Sequence, residues 1–146
     1  MAGLNPKRGL AALKDRVSAL EAAGGVNTTD VTIPFIIDGG GAVIATGSKG
    51  YVEVPFAGNI TAWRVVSDTA GSIVVDVKRA TYSQFPTTTS IAASAKPTLS
   101  SARKSENTTL TGWTKALSIG DWLEFVVESA NTLTRVTVSI TVDRTL

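Results

Sequence analysis

The amino-acid sequence predicts an all-β domain, an antiparallel two-sheet sandwich of jelly-roll type, preceded by one short α-helix. Three observations predict it. From Val31 onward, short apolar runs recur with polar residues interleaved at a period of two, the spacing that sends one side of a strand into a core and the other into water. Those runs are bounded by glycine or by Asp/Asn/Ser/Thr clusters, the residues of tight turns. Before Gly24 the apolar spacing is instead that of a helix. About eight strands without intervening helices point to two packed sheets rather than an α/β order. The chain therefore divides into a helical segment over 1–25 and a β-domain over 26–146, and 146 residues suffice for one real core.

The helix begins at Asn5-Pro6, where asparagine can cap free amides and proline has no amide to leave unpaired. Gly24-Gly25 ends it. Leu10, Leu13, Val17 and Leu20 are spaced three, four and three apart, as at the a and d positions of two heptads. On that register Arg16 at g of one helix can meet Glu21 at e of its neighbour. An amphipathic helix lying on its own β-domain is the plainer alternative. The narrow seam, with Ala11, Ala12, Ala19, Ala22 and Ala23 around it, favours self-association over packing on a sheet, which calls for a wider, bulkier stripe. Two heptads alone are marginal, so contacts between β-domains are expected to assist.

The first strand is predicted over Val31 to Ile37, at an edge or a bulge because Pro34 cannot donate to a ladder. Val43-Ile44 reads as a short second strand between glycine turns, and Gly50 to Phe56 as a third. Asn59 to Ser67 and Ile73 to Lys78 follow, separated by a turn at Thr69 to Ser72. In the fourth, Trp63 and Val65 take one face and Ile60, Ala62 and Val66 the other. The Ser/Thr-rich stretch Arg79 to Asn107 shows no sustained period and is too long for a plain connection. It is expected to be a surface excursion with Tyr82, Phe85, Ile91 and Leu99 tucked against the core. Strands resume at Thr109 to Leu117, at Asp121 to Glu128 with Leu123, Phe125 and Val127 on one face, and at Thr132 to Arg144. The last alternates most cleanly, as in an antiparallel sheet with one wet face.

Composition excludes several chemistries. The chain contains neither cysteine nor histidine, so disulfides, thiolate sites and a Ser-His-Asp arrangement are impossible within it. With 14 basic and 12 acidic residues, the charge is too balanced for a nucleic-acid footprint. No apolar run approaches the roughly 18 residues of a membrane span, and Lys14, Asp15 and Arg16 interrupt any signal-like core. A soluble protein made in a cytoplasm is expected.

No enzymatic motif emerges, and neither a cofactor nor a metal is expected. Gly39-Gly40-Gly41 precedes a strand rather than a helix, so it reads as a turn and not a phosphate cradle. Glu124 and Glu128 could pair on one strand face, and Asp76 and Glu53 are other candidate carboxylates, but solvated sheet charges explain them. Trp63, Trp113 and Trp122 suit core or interface positions. Trp122 is the best candidate for stacking on a sugar, because it shares a face with Glu124 rather than with Leu123 and Phe125. Asn27, Asn59 and Asn107 each begin an Asn-X-Thr triplet and are read as turn asparagines.

Residues 31–144 resemble a small β-sandwich domain of tailed-bacteriophage virion proteins. The resemblance lies in Phe35-Ile-Ile-Asp-Gly-Gly-Gly41, Gly47-Ser-Lys-Gly50, Val54-Pro-Phe56, Gly71-Ser-Ile-Val-Val-Asp76 and Lys96-Pro-Thr-Leu-Ser100. It continues in Leu110-Thr-Gly-Trp113, Gly120-Asp121 and Arg135-Val-Thr137. The heptad segment looks like the helical leaders that trimerise phage fibre and decoration proteins. The resemblance implies a non-enzymatic homotrimer on the virion surface, contacting capsid or tail proteins, with no nucleic acid and no membrane insertion. A capsid decoration or head fibre fits the short chain best. The alternative is a tail-fibre or tail-tip adhesin for a host receptor or glycan, and a depolymerase acting through Glu124 is a third reading.

Overall fold

The computed structural model describes residues 6–22 and 29–146, with the side chains of the helix described over 9–19. Helix α1 spans Pro6–Ala22. Eight strands follow: β1 Asp30–Asp38, β2 Gly47–Glu53, β3 Gly58–Ala80, β4 Thr89–Ser90, β5 Thr98–Asn107, β6 Ala116–Leu117, β7 Trp122–Asn131 and β8 Arg135–Arg144. All paired strands are antiparallel, and the main path runs β1-β8-β3-β7-β2.

β3 is the spine. Its first part, Gly58 to Ser67, pairs with β8, and its last part, Ser72 to Ala80, pairs with β7. β4, β5 and β6 hang from it as well. The ends of the path, β1 and β2, nevertheless meet. Phe35 of β1 stacks on Phe125 of β7 with ring centroids 4.4 Å apart and planes within 8°. The Phe35 ring also lies 3.2 Å from where a side chain on Gly50 of β2 would begin. The sheet is thus curled, with its two wings facing each other across the core.

Alternation explains which residues fill that core. Val136, Val138, Ile140 and Val142 are buried from β8, Leu123, Phe125 and Val127 from β7, and Ile73, Val75 and Val77 from β3. Each set is the apolar half of an alternating run. Pro34 sits on β1, an edge strand that pairs only with β8 among the described residues, the kind of position at which a strand tolerates proline. Trp63 and Trp113 are buried, and both indole N–H groups donate to the Ala95 carbonyl at 3.0 and 2.9 Å.

Several expectations need correcting. Val43-Ile44 forms no strand. Gly40 and Gly41 take positive φ, and Ile44 is held by one bond from its amide to the Leu133 carbonyl at 2.9 Å. The fourth and fifth predicted strands are one 23-residue strand, because Thr69 to Ser72 bends without reversing direction. A bulge between Ile60 and Ala62 adds a residue, so Ile60, Ala62 and Trp63 can all be buried, which strict alternation forbids. The excursion after Arg79 contains β5, a ten-residue strand. Thr109 to Leu117 is mostly turn, with only Ala116–Leu117 in the sheet. Ile91 and Leu99 are buried as expected, but Tyr82 and Phe85 are exposed.

Candidate functional site

Two surfaces hold the residues singled out from the sequence. The first is α1. Proline at its first position and a run of alanine and leucine favour helix locally. Every described side chain over 9–19, Arg16 included, is exposed. Leu10, Leu13 and Val17 are 56%, 57% and 46% exposed, so the apolar seam is uncovered. The side chains of Leu20 and Glu21 lie outside the described residues, as do Asn5, Gly24-Gly25 and Asn27.

The second surface is the outer face of the β2-β7-β3 wing. Residues directly opposite in an antiparallel pair project to the same side. Glu53, Trp122 and Ala80 form one such row, and Tyr51, Glu124 and Lys78 the next. The sequence therefore places Trp122 and Glu124 correctly on one face, away from Leu123 and Phe125. Glu124, however, is only 7% exposed and is no solvated sheet charge. Its carboxylate accepts from Ser48 Oγ at 3.1 Å and from Thr88 Oγ1 at 2.8 Å. Burial pushes its pKa up, but the Thr88, Tyr51 and Ser48 hydroxyls and the Lys78 charge outweigh that and hold it below the ordinary glutamate range. Glu128, by contrast, is exposed at the bulge opposite Val74 and Val75 and pairs with Lys96. The two glutamates do not converge on one centre.

Thr88 belongs to a segment that returns over this face. Within Thr81-Tyr-Ser-Gln84, the Gln84 amide donates to Thr81 Oγ1 at 3.3 Å, and the Thr81 amide donates to Gln84 Oε1 at 3.1 Å. This reciprocal pair is a capping box. It fixes a single helical turn, closed by the Phe85 amide on the Thr81 carbonyl at 3.1 Å. Tyr82 and Phe85, three residues apart, thus project together. Phe85 meets Tyr51 edge-on at 4.9 Å and Trp122 at 6.2 Å. Tyr82, Phe85 and Trp122 line a cleft of about 280 Å³. Tyr51, Tyr82 and Phe85 were not foreseen as site residues. The Thr-x-x-Gln spacing within a polar stretch was the available signal.

No protein-family model matches the chain, and no curated protein matches it. Among solved structures, the chain matches a serine protease of Aeromonas sobria at 11% identity, with a TM-score of 0.31 over 88% of this chain and 30% of that one. It is also similar to a structure of infectious bursal disease virus, Gx strain, at 11% identity, with a TM-score of 0.29 over 80% and 35%. The chain spans about a third of the length of each.

Proposed function

We propose that this chain is a homotrimeric, non-enzymatic structural protein of a bacteriophage virion surface, a capsid decoration or head-fibre protein. The observation that carries the reading is the uncovered seam of α1. Three adjoining apolar side chains, Leu10, Leu13 and Val17, face water on a helix of heptad spacing. Burying a leucine or valine fully is worth about 1.5–3 kcal/mol, so copies of this helix gain by pairing seams. A 17-residue helix is close to the length at which isolated helices are marginal, which suits a segment that orders on assembly. The lack of histidine and cysteine accords with a building role, and the resemblance of residues 31–144 to phage virion domains supplies the virion context.

The reading extends to the β-domain. Its wings, β1-β8 with the first part of β3 and β2-β7 with the last part, are inferred to act as the two sheets of a sandwich, with the Phe35–Phe125 stack between them supporting that division. A crystal structure in which β1 and β2 hydrogen-bond to each other, closing a barrel, would contradict it. For the function, antibodies raised against residues 29–146 should decorate phage particles that encode this chain, at regular positions on the head. Particles that carry no label would remove the virion role.

A further inference from the structure

We infer that the cleft between Tyr82, Phe85 and Trp122 is a saccharide-binding site that takes a pyranose ring of a surface polysaccharide. The inference goes beyond the building role and stands or falls separately from it. Tyr82 is 79% and Phe85 41% exposed, and Tyr51 beside them is 40% exposed. Exposed aromatic rings in contact with one another are unusual on a surface without a partner. The backbone that carries Tyr82 and Phe85 is held in place. The capping box of Thr81 and Gln84 fixes the turn, and Thr88 ties its far end to buried Glu124. The backbone of the turn is therefore held, and a ligand has only side chains to rearrange, which limits the entropy cost of binding.

The polar chemistry chooses among occupants. The indole N–H of Trp122 is the one buried side-chain donor among the described residues that lacks an acceptor. Leaving such a donor unpaired is costly. A sugar hydroxyl can accept from it while the carbohydrate's C–H face lies on the rings. An ammonium group, protonated or quaternary, offers no acceptor, and neither does a hydrocarbon anchor. The rim adds groups that a polyhydroxylated ligand can use. Glu53, directly opposite Trp122 in the sheet, is exposed and has no ion-pair partner among the described residues. The Tyr51 and Tyr82 phenols can donate or accept. Ring stacking with a few orienting polar groups is the usual composition of a small-molecule cleft. Reaching the indole N–H requires the exposed side chains of the 81–88 turn to swing aside. Glu124 is then a positioning residue rather than a contact.

The test uses the full chain on a printed array of bacterial surface polysaccharides, followed by titration with the oligosaccharide that binds best. Saturable binding should quench tryptophan fluorescence through Trp122, since Trp63 and Trp113 are buried on Ala95. Tyr82→Ala and Phe85→Ala should each weaken binding at least tenfold, with unchanged circular dichroism. Trp122→Phe keeps a ring but loses the donor, and should weaken binding severalfold. No array spot bound above the level of the Tyr82→Ala/Phe85→Ala double variant overturns the proposal, and so does binding indifferent to these changes. Competition by choline chloride reassigns the cleft to a cation. A drop in oligomer mass in the double variant reassigns it to a subunit contact.

Discussion

Single side chains decide two features of this molecule. Phe125 is fully buried and stacked on Phe35, so it joins the two wings of the curled sheet. Phe125→Ala should cost about 3–5 kcal/mol, read from urea unfolding, and a loss below 1 kcal/mol would mean that the wings do not depend on this stack. Glu124 is the second. Its pKa lies lower in the folded chain than in the unfolded one. Folding therefore favours the carboxylate, and the stabilisation is present above the ordinary glutamate value of 4.5 and lost as pH falls through the folded value. Glu124→Gln leaves one oxygen for two hydroxyl donors. It should cost about 1–2 kcal/mol near neutral pH and flatten the acid limb of the stability profile. An acid limb identical to that of the parent would assign the pH dependence elsewhere, for instance to Asp38, whose carboxyl is held low by the Gly40 amide and Arg135.

At the scale of elements, β3 shows what the sequence does and does not reveal. Its apolar half-faces are legible at Ile73, Val75 and Val77, as are those of β7 and β8, because burial on one side imposes a period of two. The continuity of β3 is not legible. Thr69-Ala70-Gly71-Ser72 has turn composition, and only the approach of the Thr132–Leu133 loop shows that the chain bends there without reversing. A side chain at Gly71 would begin 2.6 Å from Leu133 and Thr132. Gly71→Ala should therefore destabilise the fold by roughly 1–3 kcal/mol, and a melting temperature equal to the parent's would show that the bend is tolerant. β5 was hidden for a different reason. Arg103, Lys104 and Glu106 keep most of it in water, so pairing with β3 holds it in the sheet rather than an apolar face. The aromatic cleft was half visible: Trp122 stood out by its face, but Tyr82 and Phe85 were expected inside. No alternation marks a segment whose position is set by a capping box and one threonine bond to Glu124.

The whole molecule joins a self-contained β-domain to a helix whose described apolar residues face solvent. The core is closed by residues of the β-domain, its strands together with loop residues such as Ile44, Leu110, Trp113 and Leu133, so removal of residues 1–25 should leave circular dichroism of the β-domain intact. Loss of the strand signal in that truncation would make the helix part of the fold. Assembly, by contrast, should depend on the seam. The most direct test is sedimentation velocity of the intact chain at micromolar concentration, beside the Leu13→Asp/Val17→Asp variant. The parent should run at three times the 15.2 kDa chain mass and the variant at a lower mass with its β-structure unchanged. A parent that sediments as a single chain, or a variant whose mass does not change, contradicts assembly through the helix.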